Sequence, residues 1–333
     1  MKKILLYAML IAVASCVSPT EKIQIIRGEA QGSTYGIKYI SNSDKDLQQS
    51  VDSILEVIDL SMSTYRPESI ISKINRGERV QIDNHFENVF KASQTIWKQS
   101  DGVFDPTVGI LVNAWGFGAN KNQNNLTQTQ IDSLKNFVGF NKVQLTDEKF
   151  IEKENPAIFF DFNAIAQGYT VDVIADFLKS KGITNFVVEV GGEIYLSGKN
   201  TIDDKKWTIG IEDPTLPSDK RELMTTVQFE NQGLATSGNY RKIRTDSLTG
   251  EKFVHSINPK TGLAKQSNLL SATVITDSAM YADGYATMFM VLGTEASKAF
   301  LENHPELNVL LIYNNENNEV LTFATKGFQD LQN

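Results

Sequence analysis

The stretch "NLLSATVITDSAMYADGYATMFMVLG" (Asn268–Gly293) joins the two patterns that decide the fold. Asn268–Thr276 is an apolar, β-branched run and reads as a strand. Ala279–Gly293 reads as a buried helix, yet it carries a carboxylate, Asp283, in its first turns. A lone carboxylate in an apolar setting costs several kcal/mol unless it is paired or bound to a cation.

Working outward, strands come in succession. "NFVVEVGGEIYLSG", "WTIGIED", "TTVQFENQGLATSGNY" and "KFVHSINP" precede the quoted stretch and read as strands joined by turns, continuing one sheet. After it come a helix at "SKAFLENH" and two strands, "NVLLIY" and "EVLTFA". At the other end, "QIIRGEAQGSTYGIKYI" (24–40) reads as strand, turn, strand. Leu47, Val51, Ile54, Leu55 and Ile58 recur at helical spacing. Further helices are predicted over "FENVFKASQTIWKQSDG", with Gly102 as its stop, and over "TQTQIDSLKNFVG". The Asn- and Gln-rich residues 119–130 read as a loop insertion. "AIFFDFNAIAQGYTVDVIADFLKSKG" reads as a short strand running into a helix that buries Val171, Ile174, Ala175 and Leu178 and ends at Gly182. Helices and consecutive strands mix without regular βαβ alternation. That predicts an α+β fold with largely antiparallel sheets and packed helices.

The 333 residues, 41% hydrophobic and 22% charged, are those of a globular chain. The net charge of −8 includes Lys2 and Lys3, and no basic stripe marks a nucleic-acid binder. Lys2-Lys3 is followed by an apolar run, Ile4–Ala14, about half the ~20 residues a spanning helix needs. It matches a signal-peptide core, residues 1–15. Cys16, the one cysteine in the chain, follows "VAS" as in a bacterial lipoprotein box. Residues 16–22 are then a lipidated linker, the exported part keeps no other thiol, and the chain is expected to be lipid-anchored in a bacterial envelope, facing the periplasm. An ordinary signal peptide with a chance cysteine is the alternative.

Asp283 and Thr287 are four apart, so a helix puts both oxygens on one face. Both are hard ligands suited to Mg²⁺ or Ca²⁺. Spacing alone leaves open a capping aspartate and a threonine bonded to its own turn. Of three histidines, His85 and His304 lie in polar surroundings, whereas His255 stands between a strand and the turn "NPKTG". That position suits proton transfer, or a hydrogen-bonded turn residue. Three scattered histidines without cysteine make no zinc site. Gly191-Gly192 inside a strand pattern marks a bulge or a close backbone approach. Asp161 ends a strand before a helix, a junction that can present backbone groups to a ligand.

Seven blocks occur in one order: "STYRPES", "GVFDPTVGILVNAWGFG", "DFNAIAQGYTVD", "VEVGGEIYLSG", "LATSGNYR", "HSINPKTG" and "YADGYATMFMVLG". Together they resemble the ApbE family, the FAD:protein FMN transferases, over nearly the whole of residues 23–333. The resemblance implies an α+β, tunnelling-fold-like catalytic domain. It implies Mg²⁺-dependent splitting of FAD, with FMN joined through a phosphoester to a threonine or serine of a target protein and AMP released. Targets in the family are subunits of membrane redox ion pumps and related flavin-carrying domains. The implied Mg²⁺ ligands are Asp283, Thr287 and the Ala164 carbonyl. The implied FAD contacts are Gln31, Tyr65, Ala114, Trp115, Gly116, Asp161, Gln167 and Ile257, with Tyr65 and Trp115 offering flat aromatic surface to the flavin. His255 matches the histidine of the family's H-x-I-x-P-x-T-G block and is implied in activating the target hydroxyl or organising the phosphate site. Three departures stand out: Gln31 replaces a common methionine, Gln167 replaces a common lysine, and "QGSTY" replaces "MGT". Some members hydrolyse FAD to FMN and AMP. Besides that, an FAD-storing lipoprotein and a solute-binding lipoprotein are alternatives; retained Asp283, Thr287 and His255 weigh against storage, and the missing βαβ lobes weigh against solute binding.

Overall fold

The computed structural model describes residues 20–43, 45–118, 126–217, 220–238, 243–245, 252–254, 256–264 and 267–333. Its frame is one eight-stranded sheet. The strands are β1 (Lys22–Ala30), β2 (Ser33–Ser41), β3 (Phe186–Val190), β4 (Glu193–Ser197), β5 (Gln232–Gly238), β6 (Leu269–Thr276), β7 (Asn308–Asn314) and β8 (Val320–Ala324). They lie side by side in chain order. Every neighbouring pair is antiparallel, as the run of consecutive strands predicts. Apart from Lys326–Leu331, which follows the last strand, the described helices are insertions between strands. Helices α1 (Gln48–Met62), α2 (Asn84–Gln99) and α3 (Ala166–Ser180) sit between β2 and β3; α4 (Ala279–Leu292) and α5 (Thr294–Glu302) sit between β6 and β7.

Three sequence expectations change. Ile209–Glu212 pairs with Leu223–Val227 in a ribbon outside the main sheet, and Ile243–Thr245 pairs likewise with Lys252–Val254. Only one parallel bridge, Val108 to Phe159, stands where a strand before α3 was expected. The Asn75 amide takes both backbone groups of Phe160, at 2.8 and 2.9 Å, so a side chain does there what a neighbouring strand would. Gly191-Gly192 forms the β3–β4 hairpin turn rather than a bulge, with φ of 70° and 114° that favour glycine. In the expected 119–130 insertion, residues 119–125 lie outside the described residues. From Gln128 to Lys135 the chain is helical, started by a Thr127–Gln130 capping box.

Successive strand residues face opposite sides, and both sides of the central strands are covered. On β7, Val309 and Leu311 join the core under the helices, while Leu310 and Ile312 join a second core with Trp207, Phe229 and Phe328. Val171, Ile174, Ala175 and Leu178 are buried as their spacing predicts. Helix α4 is buried nearly all round and lies across β5 and β6. Two glycines set its depth. A Cβ on Gly168 of α3 would fall 2.2 Å from the Ala279 carbonyl oxygen, and one on Gly233 of β5 would fall 2.2 Å from the Ala279 nitrogen. Only hydrogen at both positions lets α3, β5 and the start of α4 meet, and this contact places Asp283.

Candidate active site

Asp283 is 5% exposed. Its carboxylate leaves α4 sideways and accepts the Gly168 backbone N–H at 3.1 Å. Helix α3 begins at Ala166 with no capping side chain of its own, so Asp283 satisfies one of its orphan donors from another helix. Capping is therefore part of its role, but at the end of α3, not α4. One hydrogen bond does not offset burial in apolar surroundings. The carboxyl is pushed from 3.8 up to about 7, chiefly by loss of water and only partly countered by the Gly168 N–H.

One turn on, Thr287 does not bond back to its own helix. Its hydroxyl lies 3.2 Å from the Ser237 hydroxyl on β5. Ala164 is two residues before α3. Among the described residues no three His, Cys, Asp or Glu side chains gather as a metal site. A cation centre here would use one carboxylate, a hydroxyl and a carbonyl. That oxygen-only set fits Mg²⁺, which keeps waters and takes few protein ligands. The fit also rests on Asp283: a buried carboxylate with a raised proton affinity and one described donor is electrostatically incomplete, and a cation would complete it.

Turns bring further residues to the same end of α3. Gln31 occupies the β1–β2 turn with φ of 53°, and its amide nitrogen donates to Thr170 of α3 at 2.8 Å. Its buried Oε1 has no partner among the described residues. The Gln167 amide lies over Gly191, where an added Cβ would fall 2.4 Å from Nε2. The Gly191 N–H in turn donates to the Thr34 carbonyl at 3.0 Å. Gln31, Gln167 and the glycine turn thus converge although Gln31 and Gly191 stand 160 positions apart in the chain.

The segment before α3 runs beside the block that carries Trp115. The Asp161 N–H donates to the Pro106 carbonyl at 2.8 Å, and Gly109 is pressed on Phe159 and Asp161. Asp161 accepts from the Asn163 N–H at 2.8 Å, while burial pushes its carboxyl upward. Tyr65 keeps 58% exposure; its hydroxyl is raised by burial of its polar end and by the nearby Asp161 charge. Trp115 differs. It is 3% exposed and packs with Leu111, Ile131 and Ile257, its indole N–H donating to the Gly262 carbonyl at 2.9 Å. The structure therefore links Trp115 and Ile257 to each other through a small core, and leaves Tyr65 as the exposed one of the two expected aromatics. Ala114 ends a short helix, Gly109–Ala114, and Gly116 follows Trp115 in a left-handed conformation at φ 80°. His255 and Cys16 lie outside the described residues.

Sequence reasoning missed Gly168 as a donor to Asp283, Ser237 as the partner of Thr287, and Asp172. Asp172 accepts from the Ser278 hydroxyl at 2.6 Å and from the Ala279 and Met280 N–H groups at 2.8 and 2.9 Å. No spacing rule joins residues fifty or more positions apart. The serine before the helix at Ala279 was the one available signal, as an N-cap type.

Comparison with known proteins identifies the family and the fold. The profile described as "ApbE family" matches residues 31–311. The FAD:protein FMN transferase of Haemophilus influenzae is 33% identical over 341 aligned positions, which cover 98% of this chain and 96% of that protein. The Vibrio cholerae protein of the same name is 35% identical, covering 92% and 91%. The structure of the flavin transferase ApbE from Vibrio cholerae superposes with a TM-score of 0.83 at 32% identity, over 94% of this chain and 100% of that one. The apo flavinyl transferase ApbE of Pseudomonas stutzeri gives 0.83 at 30% identity, over 93% and 97%.

Proposed function

The chain belongs to the ApbE family, and from that premise we propose that it is an FAD:protein FMN transferase. A threonine or serine hydroxyl of an acceptor protein attacks the phosphorus on the FMN side of the FAD pyrophosphate. A P–O bond forms to the hydroxyl oxygen, the P–O bond to AMP breaks, AMP leaves with the bridging oxygen, and the hydroxyl proton goes to a base. The observation that carries the reading is the buried Asp283 carboxylate held at the start of α3, one turn from Thr287.

The residues divide the work. Asp283, Thr287 and the Ala164 carbonyl would hold Mg²⁺, which supplies charge neutralisation at the pyrophosphate when bound. Tyr65 offers the flavin an open ring face. Gln31 and Gln167 present amides at the rim of the same helix end, where the orphaned Gln31 Oε1 can accept from a ligand N–H. Asp161 stands beside Tyr65 as a further acceptor. His255 is proposed as the group that receives the acceptor's proton, supported by its place in the block "HSINPKTG".

We further propose that Cys16 is lipidated and that the domain works on the periplasmic side of a bacterial membrane, on flavin-accepting subunits of membrane redox complexes. The N-terminal sequence supports this. Among the described residues no helix is long and apolar enough to cross a membrane. Cys16→Ala should move the protein from the membrane fraction to the soluble fraction; retention in the membrane argues against the anchor.

The reaction is tested by incubating the domain with FAD, Mg²⁺ and a threonine-bearing flavin-acceptor domain, then scanning a denaturing gel for flavin fluorescence. Fluorescence should travel with the acceptor and vanish when its threonine is replaced by alanine. An acceptor that stays dark while FAD is consumed contradicts transfer and leaves hydrolysis.

A further inference from the structure

We infer that Asp172 is a positioning residue for the cation site, acting through the register of helix α4. The inference rests on the reading of Asp283 and Thr287 as cation ligands.

Both oxygens of Asp172 are spent on the first turn of α4. Oδ1 accepts from the Ala279 N–H at 2.8 Å; Oδ2 accepts from the Met280 N–H at 2.9 Å and from the Ser278 hydroxyl at 2.6 Å. Hydrogen bonds to a charged acceptor are about twice as strong as neutral ones. Three of them from consecutive residues fix both the height and the rotation of a helix start. Residues four apart share a helical face, so Ala279, Asp283 and Thr287 lie in one row. A slip of one residue along α4 would swing that row by about 100° and carry both proposed ligands away together.

The clamp is closed on the other side. Asp283 returns a bond to Gly168, one turn before Asp172 on α3. Gly168 also meets the first two members of the row, since a Cβ there would fall 2.2 Å from the Ala279 oxygen and 2.8 Å from the Asp283 Cβ. Asp172 touches neither of the other proposed ligands, Thr287 and Ala164, in any described contact. Its neighbour one turn along α3, Asp176, is on the same side of the helix but leaves its carboxylate in solvent. An acid on this face therefore need not reach α4, and Asp172 is the one that does.

The test compares Asp172→Asn, Asp172→Glu, Ser278→Ala and Asp176→Asn with the unaltered chain, using Mg²⁺ titration calorimetry, melting temperature, and transfer rates against Mg²⁺ and FAD concentration. Asn keeps the size of Asp172 but turns a donor toward backbone N–H groups. It should weaken Mg²⁺ binding by roughly ten- to a hundredfold, the usual effect of removing a partner that orients a ligand. The Mg²⁺ concentration for half-maximal rate should rise in proportion, with the rate at saturating Mg²⁺ largely recovered. Ser278→Ala removes one of the three bonds together with the cap that the Ser278 hydroxyl gives the Tyr281 N–H; it should lower the melting temperature modestly and shift Mg²⁺ binding in the same direction by less. Asp172→Glu should recover part of the affinity, and Asp176→Asn should match the unaltered chain. If Asp172→Asn and Ser278→Ala lower the melting temperature while Mg²⁺ affinity stays unchanged, Asp172 is a structural cap alone and the inference is overturned. If the unaltered chain shows no Mg²⁺ binding that Asp283→Ala removes, the cation reading itself fails, and the inference falls with it by a result distinct from the first.

Discussion

Asp172 and Asp283 cap each other's helices: Asp172 of α3 accepts from the first turn of α4, and Asp283 of α4 accepts from Gly168 in the first turn of α3. The two bonds are not equivalent. Burial raises both carboxyls, but Asp172 is held by three donors, whereas Asp283 has one described donor and is pushed up to about 7. The first carboxylate holds the structure; the second is left with capacity for a cation. Four expectations follow from this asymmetry and from the residues around it.

Asp283→Ala should abolish Mg²⁺-dependent transfer. Losing the cation withdraws several kcal/mol of charge stabilisation, and at about 1.4 kcal/mol per decade the rate should fall at least about a hundredfold. Initial rates of AMP release measure it. Unchanged turnover would remove Asp283 from the centre.

Mg²⁺ affinity should depend on pH through Asp283. Its folded-state value near 7 lies above its ordinary 3.8, so the metal-free folded chain holds a proton there that the unfolded chain has lost. Burial of this group therefore leaves stability unaffected below pH about 4 and lowers it as pH rises toward 7. The same proton competes with the cation. Mg²⁺ binding should be about tenfold weaker at pH 6 than at pH 8 and level off above pH 7. Calorimetric titrations across that range check the sign; affinity that falls with rising pH would contradict it.

Gly168→Ala should separate α3 from α4. The added methyl meets the Ala279 carbonyl and the Asp283 Cβ, and overpacking of this kind costs about 1–3 kcal/mol. Denaturant unfolding should show that loss, together with weaker Mg²⁺ binding. A stable variant with normal Mg²⁺ affinity would show that the helix contact does not set the site.

Tyr65 and Gln167 should act on FAD rather than on the metal. A ring contact contributes about 0.5–1.5 kcal/mol, so Tyr65→Ala should weaken FAD binding about two- to tenfold while Tyr65→Phe changes it little. Gln167→Lys should tighten FAD binding at low salt and lose that advantage as salt screens it. Fluorescence titrations at two salt concentrations separate the two effects.

Much of the frame is legible along the chain because it is local. The β1–β2 hairpin shows in its alternation and turn residues, and α3 in the spacing of Val171, Ile174, Ala175 and Leu178. Local pattern also names Asp283 and Thr287 as a pair on one helical face. It fails where partners are remote. The strand expected before α3 is absent because Asn75, far earlier in the chain, takes the backbone groups of Phe160. The ribbon strand at Leu223–Val227 has the composition of a sheet strand but meets Ile209–Glu212 instead. Asp172 reads as an ordinary helical aspartate until the fold sets it against Ser278. Aromatic type alone likewise does not separate Tyr65, open to a ligand, from Trp115, buried in a small core.

The most direct test of the transfer reaction is intact mass spectrometry of an acceptor domain after incubation with this domain, FAD and Mg²⁺. The account predicts a single mass gain equal to FMN less water, placed on one threonine or serine, with an equal amount of AMP released. AMP and free FMN beside an unmodified acceptor, across acceptors bearing the threonine, would contradict transfer and make the domain an FAD hydrolase; FAD bound but unconsumed would contradict catalysis altogether.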